Sequence, residues 1–483
     1  MPKQSPHVVW FRRDLRLEDN PALAAAADSG APVIPVFIVE RPDRLGGAAR
    51  WWRGRSLEML GASLERLGSR LILREGTPLD AIMALLHETG ARHLHINRRF
   101  EPKGLGIDAE ITTEAGHLGI EVHEHQGNRL HEPWALKTLK GESFRVFTPF
   151  WRRLAENYRT PQAWPRPKKL VAPAIWPGGL PMEKLQEKAI WTTGMAAAWQ
   201  PGEAGALVHL KSVAGKLAHY HEARDLPATD GTSRLSPHLA WGEISVHEIW
   251  RQLTGSGKAV ENGFLRELGW RDFNTHLLYH FPRLPVESWS AQFRAFPWEK
   301  PGKQFRQWQK GLTGYPIIDA GMRQLWLTGW MHNRVRMITA SFLIKDMLID
   351  WREGEKWFWD TLVDADLAQN AGNWQWVAGC GADAAPYFRI FNPTTQSIKF
   401  DGNGDYIRRW VPELAKMPAR YIHAPETAPA EVLIDASIRL GRDYPRPMVD
   451  HAKARQHALD LYQGRGQNPL SGPTPKKQDD LFS

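Results

Sequence analysis

The chain has 483 residues, more than a single hydrophobic core usually supports, so we expect two domains. Hydrophobic residues form 42% of the sequence and charged residues 24%, a balance that excludes an intrinsically disordered chain, and no apolar stretch is long enough to span a membrane. The formal net charge of +9 favours a polyanionic partner but does not prove one.

The first 130 residues alternate short apolar runs with helical stretches, which predicts an α/β domain with a parallel, Rossmann-like sheet. The predicted strands are 7–11, 32–39, 70–74, 93–97 and 120–125. Helix starts are expected where a capping side chain precedes a proline, at Asn20 and Thr77. No G-x-G-x-x-G follows the first strand, so this rhythm alone does not indicate a NAD site.

Prolines crowd residues 160–181, at a density that neither a helix nor a central strand tolerates. We therefore predict an interdomain connector over 131–201. From 202 to 465 the pattern becomes helical, which predicts an all-α C-terminal domain. Residues 466–483 are rich in Gly, Pro, Gln and charge and are predicted to be a disordered tail.

Cysteine and tryptophan are used unequally. The single Cys380 excludes an intramolecular disulfide and a multi-cysteine metal site, and we expect no metal centre. The first ten residues lack the pattern of an export signal, so a cytoplasmic protein is expected.

Tryptophan outnumbers tyrosine, 23 against 9, and many of the tryptophans fall with Arg, Asp and Asn between residues 329 and 392. This stretch is suited to holding a large polar aromatic molecule.

The segment 232–236 offers hydroxyls, backbone N–H groups and a cation at the start of a predicted helix, which suits a pyrophosphate. Taken alone, a helix cap beside a surface arginine is the simpler interpretation. Asp364 and Asp366 lie in an apolar stretch and need cationic or hydrogen-bonded partners, and Arg336 is the candidate partner.

Seven segments resemble those of the DNA photolyase and cryptochrome flavoproteins, in that family's order and over nearly the whole folded length. They are WFRRDLR (10–16), TSRLS (232–236), GYP (314–316), GWMHNR (329–334), DWREG (350–354), NWQW (373–376) and DAAPYFRIFNP (383–393). The closest resemblance is to bacterial photolyases that act on cyclobutane pyrimidine dimers. It implies an antenna-binding α/β domain and a helical domain that binds FAD and DNA.

The resemblance also implies the residues of the FAD site. These are Tyr220, Thr232, Ser233, Arg234, Leu235, Ser236, Arg271, Trp330, Asn333, Arg336, Asp364, Asp366 and Asn370. Asn370 would face flavin N5, where a neutral amide can accept from N5–H or donate to the bare nitrogen. Arg336 beside Asp364 would favour the reduced, anionic flavin, although a structural ion pair is the alternative interpretation.

By the same resemblance, Trp298, Trp351 and Trp374 form a chain of indoles that carries electrons between the flavin and the surface. For an arbitrary tryptophan, core packing is the better interpretation. Three separate motifs fix these three positions, so we expect the electron chain.

The resemblance implies light-driven repair of cyclobutane pyrimidine dimers by electron transfer from reduced FAD to a flipped-out lesion. Glu267 would contact the thymine carbonyls, donating if burial keeps it protonated, or would be a surface carboxylate near Arg266 or Arg271. The predicted residues at the DNA and the lesion are Arg224, Glu267, Trp270, Arg334, Met337, Trp376 and Arg389. Arg266 and Gly269 depart from the common family pattern.

Two alternatives remain: a cryptochrome-type blue-light photosensor and a (6-4) photolyase. The latter carries histidines at the positions of Asn333 and Met337, and cryptochromes place other residues at Asn370. We also expect a monomer in a bacterial cytosol, associated with the nucleoid, that binds damaged DNA without sequence preference.

The second, light-harvesting chromophore is assigned to methenyltetrahydrofolate in preference to 8-hydroxydeazaflavin. Glu101 is the candidate contact, and the stretch 50–55 lies near the family's antenna cleft; polar surface decoration explains these residues equally well. The tail between Gln478 and Phe482 is similar to the short motif that binds bacterial sliding clamps, although a random acidic tail is the simpler interpretation.

Overall fold

The structure is a computed structural model that describes residues 4–216, 219–255, 262–384 and 388–466. Its N-terminal part is a five-stranded parallel sheet in the order β3-β2-β1-β4-β5. The strands are β1 His7–Phe11, β2 Val33–Glu40, β3 Ile72–Gly76, β4 His93–Asn97 and β5 Glu121–His125. The predicted α/β domain is therefore confirmed, with each strand within two residues of its expected position.

Helices cover both faces of the sheet. They are α1 Pro21–Asp28, α2 Gly47–Glu65, α3 Pro78–Thr89 and α4 Pro102–His117. The side chain of Asn20 accepts from the N–H of Leu23, and that of Thr77 accepts from the N–H of Asp80, as expected for capping residues before a proline.

The remaining helices form the C-terminal part and the path that leads to it. They are α5 Phe147–Asn157, α6 Thr193–Ala198, α7 Glu203–Lys216, α8 Tyr220–Ala223, α9 Ser236–Trp241, α10 Val246–Thr254, α11 Asn262–His280, α12 Lys303–Gln309, α13 Pro316–Thr328, α14 Asn333–Ser341, α15 Trp351–Thr361, α16 Leu367–Ala378, α17 Pro393–Phe400, α18 Asp405–Trp410, α19 Ala419–Ile422, α20 Ala430–Asp435 and α21 His451–Gly466. A π-helical turn, Phe342–Asp346, follows α14. The predicted all-α domain is confirmed.

The sheet order changes direction between β1 and β4, the place where open α/β sheets usually bind a ligand. Here the carboxyl edge of these two strands is filled by side chains. Arg12 Nη1 lies 2.7 Å from Asp108 Oδ1, and Asn97 Nδ2 donates to Asp14 Oδ2 at 2.6 Å. The Asn97 amide also donates to Asn20 Oδ1 at 2.8 Å. The absence of a dinucleotide fingerprint in the sequence agrees with this filled edge.

The two parts of the protein pack closely. Gly242 after α9 has φ 66°, and a Cβ there would lie 1.9 Å from the backbone oxygen of Arg13, so only glycine allows this approach. Trp52 Nε1 of α2 donates to Glu243 Oε1 at 2.8 Å. The Arg13 guanidinium lies 3.9 Å from the ring centre of Trp241. These contacts fix the position of the helices relative to the sheet. Within the described ranges, no helix is long and apolar enough to cross a membrane.

Candidate functional site

Charged side chains gather around Trp330 in the helical part, in a group that we call the Trp330 cluster: Arg234, Ser236, Trp330, Arg336 and Asp364. The guanidinium groups of Arg234 and Arg336 lie 5.5 and 6.0 Å from the Trp330 ring centre. Trp330 Nε1 donates to Ser236 Oγ at 3.3 Å. Arg234 has φ 53°, a left-handed conformation that is costly for a residue with a side chain and is often found at functional sites.

Asp364 carries a hydrogen-bonding atom with no partner in the described structure. Its Oδ2 accepts from Arg336 Nη2 at 2.8 Å, and its side chain is only 4% exposed. Its Oδ1 is buried without a hydrogen bond, as are Arg234 Nε and His332 Nε2. A buried polar atom without a partner costs about 1–3 kcal/mol, and more when charged. These atoms therefore fit a polar ligand that supplies the missing hydrogen bonds.

Asp366 begins α16 and lies among arginines. Its Oδ1 accepts from the N–H of Gln369 at 3.0 Å, and its Oδ2 lies 3.3 Å from Arg129 Nη2. Burial acts to raise the pKa of Asp366, but Arg129 and Arg271 outweigh it and lower the pKa below its ordinary value. Arg271 is held by the carbonyls of Asn128 and Leu239 at 2.9 and 3.1 Å, and burial lowers its pKa to about 9. Asp366, Arg129 and Arg271 thus form a group with an excess of positive charge, two residues along the chain from Asp364 of the Trp330 cluster.

Asn370 is oriented by Glu355 of α15. Asn370 Nδ2 donates to the Glu355 carbonyl at 3.0 Å and to Glu355 Oε1 at 2.7 Å. Burial raises the pKa of Glu355 to about 7. Because both amide hydrogens face Glu355, the Asn370 Oδ1 remains as the acceptor for a ligand. The sequence left both the accepting and the donating role open, and this geometry favours accepting.

The three tryptophans of the expected electron chain share one hydrophobic core. Trp351 and Trp374 are buried in it and Trp298 packs against it, with its ring 4.3 Å from that of Phe296. Trp351 Nε1 donates to Ser288 Oγ at 3.3 Å. Gly354 makes room for Trp374, because a Cβ at that position would lie 2.2 Å from a Trp374 ring carbon. The contacts satisfy core packing, and electron transfer through these rings stays a prediction.

The predicted lesion residues Trp270 and Trp376 line the same small cavity, together with Asn274. One face of Trp270 is covered by Phe147, whose ring lies 3.6 Å away at an interplanar angle of 9°. Glu267 Oε1 accepts from Arg224 Nη1 at 2.7 Å. Glu267 Oε1 is therefore engaged by Arg224, and a contact with a lesion falls to Glu267 Oε2 or requires this pair to open.

Helix α5 explains the two departures from the family pattern on α11. A Cβ at Gly269 would lie 2.3 Å from a ring carbon of Trp151, so this indole occupies the space that a bulkier residue would need. The Arg266 guanidinium lies 5.0 Å from the ring centre of Phe147. Both residues therefore accommodate the aromatic rings of α5, and Phe147 joins α5 to the wall of the Trp270 cavity.

The predicted DNA-contacting arginines differ in their surroundings. Arg334 Nη2 lies 2.6 Å from Asp225 Oδ2, and Arg224 is paired with Glu267. Arg389 is exposed, and its guanidinium lies 5.2 Å from the Phe391 ring centre. Arg389 is thus the most accessible cation of the three.

Two further predicted residues lie together on α14. Asn333 is exposed, and its Nδ2 lies 3.9 Å from the sulfur of the half-buried Met337.

Tyr220 is buried at the start of α8, with its ring edge-on to Phe264. The segment 232–236 follows α8 in the chain and carries the Arg234 and Ser236 side chains into the Trp330 cluster.

The region expected to hold an antenna contains two separate features. Glu101 precedes α4, and its Oε2 accepts from the N–H of Phe100 at 3.2 Å. Arg50 and Arg53 of α2 line an open cleft with Lys184 and Glu187. Arg53 Nε is buried without a hydrogen-bond partner in the described structure, which again fits a polar ligand.

Sequence reasoning missed several residues that position the site, among them Glu355, Arg129 and Phe147. Glu355 lies in the WREGE run, where a second carboxylate on a tryptophan-rich helix could have drawn notice. Arg129 lies at the end of the predicted α/β domain and Phe147 in the predicted connector; both are far in sequence from their partners Asp366 and Trp270 and carried no local signal.

The fold and the site define a two-domain flavoprotein. The family described as the FAD binding domain of DNA photolyase matches residues 264–464, and the family described as DNA photolyase matches residues 7–168. The chain belongs to the DNA photolyase and cryptochrome family, as its motifs predict.

Individual relatives agree. The chain is 50% identical to a deoxyribodipyrimidine photo-lyase of Agrobacterium fabrum, over 95% of this chain and 98% of the relative. It is 38% identical to cryptochrome-2 of Arabidopsis thaliana, over 93% of this chain and 77% of that protein. A solved class III photolyase of Agrobacterium tumefaciens superposes with a TM-score of 0.93 at 50% identity, covering 97% of this chain and 99% of that one. The prediction of an enzyme of the photolyase class is supported by these relatives.

Proposed function

We propose that this protein repairs cyclobutane pyrimidine dimers in DNA by light-driven electron transfer. The observation that carries the proposal is the position of Trp270 and Trp376 on the wall of one small cavity, since two indole walls suit a flat, apolar pair of fused bases once the cavity widens to admit it. The relatives named deoxyribodipyrimidine photo-lyase support the same substrate class.

The residues that would hold FAD are those of the Trp330 cluster together with Arg271, Asp366 and Asn370. When bound in its reduced, anionic form, FAD would supply the electron after absorbing light. Asp364 Oδ1 would accept a hydrogen bond from the cofactor, and Arg336 would stabilise its negative charge at low local dielectric. Asn370 Oδ1 would accept from a protonated flavin nitrogen, since Glu355 holds the amide hydrogens.

On the lesion side, Trp270 and Trp376 would enclose the two bases and Glu267 would contact their carbonyl groups. Because Glu267 is paired with Arg224, the arriving lesion would exchange partners with this salt bridge. A phosphate next to the lesion would take Arg224 in turn, which satisfies both charges without reading sequence.

A repair assay tests the proposal. Reduced holoprotein is mixed with an oligonucleotide that contains one thymine dimer and is illuminated with blue light; we expect restored thymines, with a large loss in Trp376→Ala. Exposed Trp326→Ala, on α13, is the matched control and should repair normally. Intact FAD binding with no restored thymine would overturn the proposal, and repair of a (6-4) lesion instead would favour that alternative.

The photosensor alternative rests on the 38% identity to a plant cryptochrome. It predicts flavin photochemistry without lesion binding. Binding of dimer-containing oligonucleotide at least tenfold tighter than of undamaged oligonucleotide would exclude it.

DNA binding should depend steeply on salt, since phosphate contacts release counterions. Arg389→Gln should lower the slope of log affinity against log salt by about 1, because the exposed guanidinium of Arg389 would contact one DNA phosphate. Arg66→Gln, at the residue that follows α2 in the sheet domain, is the control. An unchanged slope in Arg389→Gln would remove this residue from the interface.

For the second chromophore, we propose methenyltetrahydrofolate rather than 8-hydroxydeazaflavin. The cleft lined by Arg50 and Arg53 supports it, because folates carry carboxylates that arginines bind, and these would compete with Glu187 and Asp43, the present partners of the two arginines. Arg53→Gln should lose folate fluorescence but keep FAD absorbance, and retention of folate would point to the Glu101 region instead.

We further propose the domain boundaries expected from the sequence, a monomer, and a cytosolic, nucleoid-associated protein. The tail motif between Gln478 and Phe482 lies outside the described residues. A fluorescent peptide of this tail, titrated with a bacterial sliding clamp, tests it; absence of saturable binding rejects the motif.

A further inference from the structure

Five histidines form a ladder on one face of the sheet in the N-terminal domain. They are His7 on β1, His93 and His95 on β4, and His123 and His125 on β5. Side chains alternate along a strand, so these positions fall on the same face across three neighbouring strands. The rings stack, with centroids 4.3 Å apart for His7 and His93 and 4.5 Å apart for His95 and His123.

Three histidines of this ladder, His7, His95 and His125, can hydrogen-bond to one another in a row. His7 Nδ1 lies 2.9 Å from His95 Nε2, and His95 Nδ1 lies 3.1 Å from His125 Nε2. A neutral imidazole donates from one nitrogen and accepts at the other, so one choice of tautomers satisfies this row of three.

The outer rung differs because a carboxylate joins two imidazoles. His93 Nδ1 lies 3.0 Å from His123 Nε2, while Glu121 Oε2 lies 3.6 Å from the former nitrogen and 3.5 Å from the latter. Glu121 is the partner of His93 in the strand register. Among the described residues, this trio is the cluster whose donor atoms lie close enough together to share an ion.

The three contacts suit a shared ion better than a set of hydrogen bonds. One N–H would satisfy the 3.0 Å contact between the two imidazoles, but the Glu121 contacts at 3.5 and 3.6 Å are too long for good hydrogen bonds. When neither nitrogen carries hydrogen, all three atoms offer lone pairs that one cation can accept.

We propose that His93, Glu121 and His123 bind a divalent transition-metal ion of the zinc class. Tetrahedral zinc with bonds of about 2.0–2.1 Å places its ligand atoms about 3.3–3.4 Å apart, and the three observed distances bracket this value. Two imidazoles favour such an ion over magnesium or calcium, which prefer oxygen. The expectation of no metal centre rested on the single cysteine and did not weigh these histidines.

The position of the trio allows entry and suggests a structural effect. The side chains of His93 and His123 are 29% and 36% exposed, so an ion reaches them from solvent and water completes the fourth position. β5 is an edge strand that pairs only with β4 in the described sheet. The ion would join these two strands and stabilise the edge.

Zinc titration of the untagged, chelator-treated holoprotein against a chromophoric zinc indicator tests the proposal. We expect one equivalent with a dissociation constant in the micromolar range or below, and weakening of at least tenfold in His123→Gln and in Glu121→Gln. Glu121 is 69% exposed, so its variant keeps the fold. His117→Gln is the control, since His117 and Glu114 form an exposed pair on α4 with no third ligand.

Melting gives a second measurement. Zinc should raise the Tm of the wild type and of His117→Gln, but not that of His123→Gln. Failure of the wild type to saturate below the millimolar range, or equal affinity in His123→Gln and the wild type, would overturn the proposal.

Discussion

The carboxyl edge of the sheet and the Trp330 cluster both contain buried charges, but they differ in how those charges are satisfied. At the sheet edge, Arg12 donates to Asp108 and Asn97 donates to Asp14, and the polar side-chain atoms of these residues are absent from the buried, unpartnered set found in the described structure. In the Trp330 cluster, Asp364 Oδ1 and Arg234 Nε are buried without partners. The comparison teaches that the charges at the sheet edge satisfy one another, whereas the Trp330 cluster keeps buried hydrogen-bonding atoms that a ligand can satisfy.

The largest effect is expected at the sheet edge. Asp108 binds both Arg12 and Arg99, at 2.7 and 2.9 Å, so Asp108→Ala removes the carboxylate that pairs with the buried Arg12 guanidinium and leaves Arg99 only its longer contacts to Glu40 and Glu101. It should lower the free energy of unfolding by about 3–5 kcal/mol in urea titrations while FAD affinity in the folded protein is unchanged. Glu114→Gln on the same helix should cost less than about 0.5 kcal/mol. A selective loss of FAD in Asp108→Ala would break the comparison.

The second effect lies in the Trp330 cluster, where we expect FAD affinity to change rather than the free energy of unfolding. Asp364→Asn replaces the carboxylate with an amide of similar shape and leaves Arg336 uncompensated. We expect FAD affinity to fall on the order of a hundredfold, measured by flavin fluorescence on release, because a charge-assisted bond and a charge pair are lost. Glu353→Gln, in a surface pair with Lys356, is the control. Unaltered affinity would mean that Asp364 Oδ1 does not face the cofactor.

A third test concerns packing beside the cofactor residues. Gly354→Ala forces the Trp374 ring to move and should cost about 2 kcal/mol of stability, within the usual range for overpacking. Photoreduction of bound FAD should slow, because Trp374 is the predicted electron donor. Gly464→Ala on α21, where an added Cβ meets nothing within 4 Å, should leave both properties intact. Normal photoreduction with a displaced Trp374 would argue against the electron chain.

The smallest effect is a pH dependence at Glu355. Its pKa is raised to about 7 from 4.5, so the folded protein holds the proton more tightly than the unfolded chain. This contribution to stability is complete below about pH 4.5 and is lost as pH rises through about 7. Allowing for solvent screening, the difference in unfolding free energy between wild type and Glu355→Gln should change on the order of 1–2 kcal/mol between about pH 5 and 8. A difference that is independent of pH would contradict the raised pKa.

The sequence predicted the sheet well because its strands are short, its central strands β1 and β2 are buried, and clear capping residues begin the helices between strands, as at Asn20 and Thr77. The family was predictable from seven ordered motifs, and the matching families confirm it. The Arg336 and Asp364 pair was predictable from chemistry alone, since a buried carboxylate needs a cation.

What the sequence could not give are contacts between distant segments. Phe147 against Trp270 and Trp151 against Gly269 join α5 to α11 across more than a hundred residues, and no local pattern links them. The alternative interpretation of Glu267 was a surface carboxylate near Arg266 or Arg271, but the arginine that it contacts is Arg224, the residue that follows α8. The histidine ladder likewise depends on strand order, which periodicity does not specify.

The filled edge between β1 and β4 also limits what evolution or engineering can do with this half of the protein. A nucleotide bound there would have to displace several side chains that hydrogen-bond to one another. A single substitution would therefore not create a binding site. A new small-molecule site in the N-terminal half would arise more easily at the cleft lined by Arg50 and Arg53 of α2, which is already open.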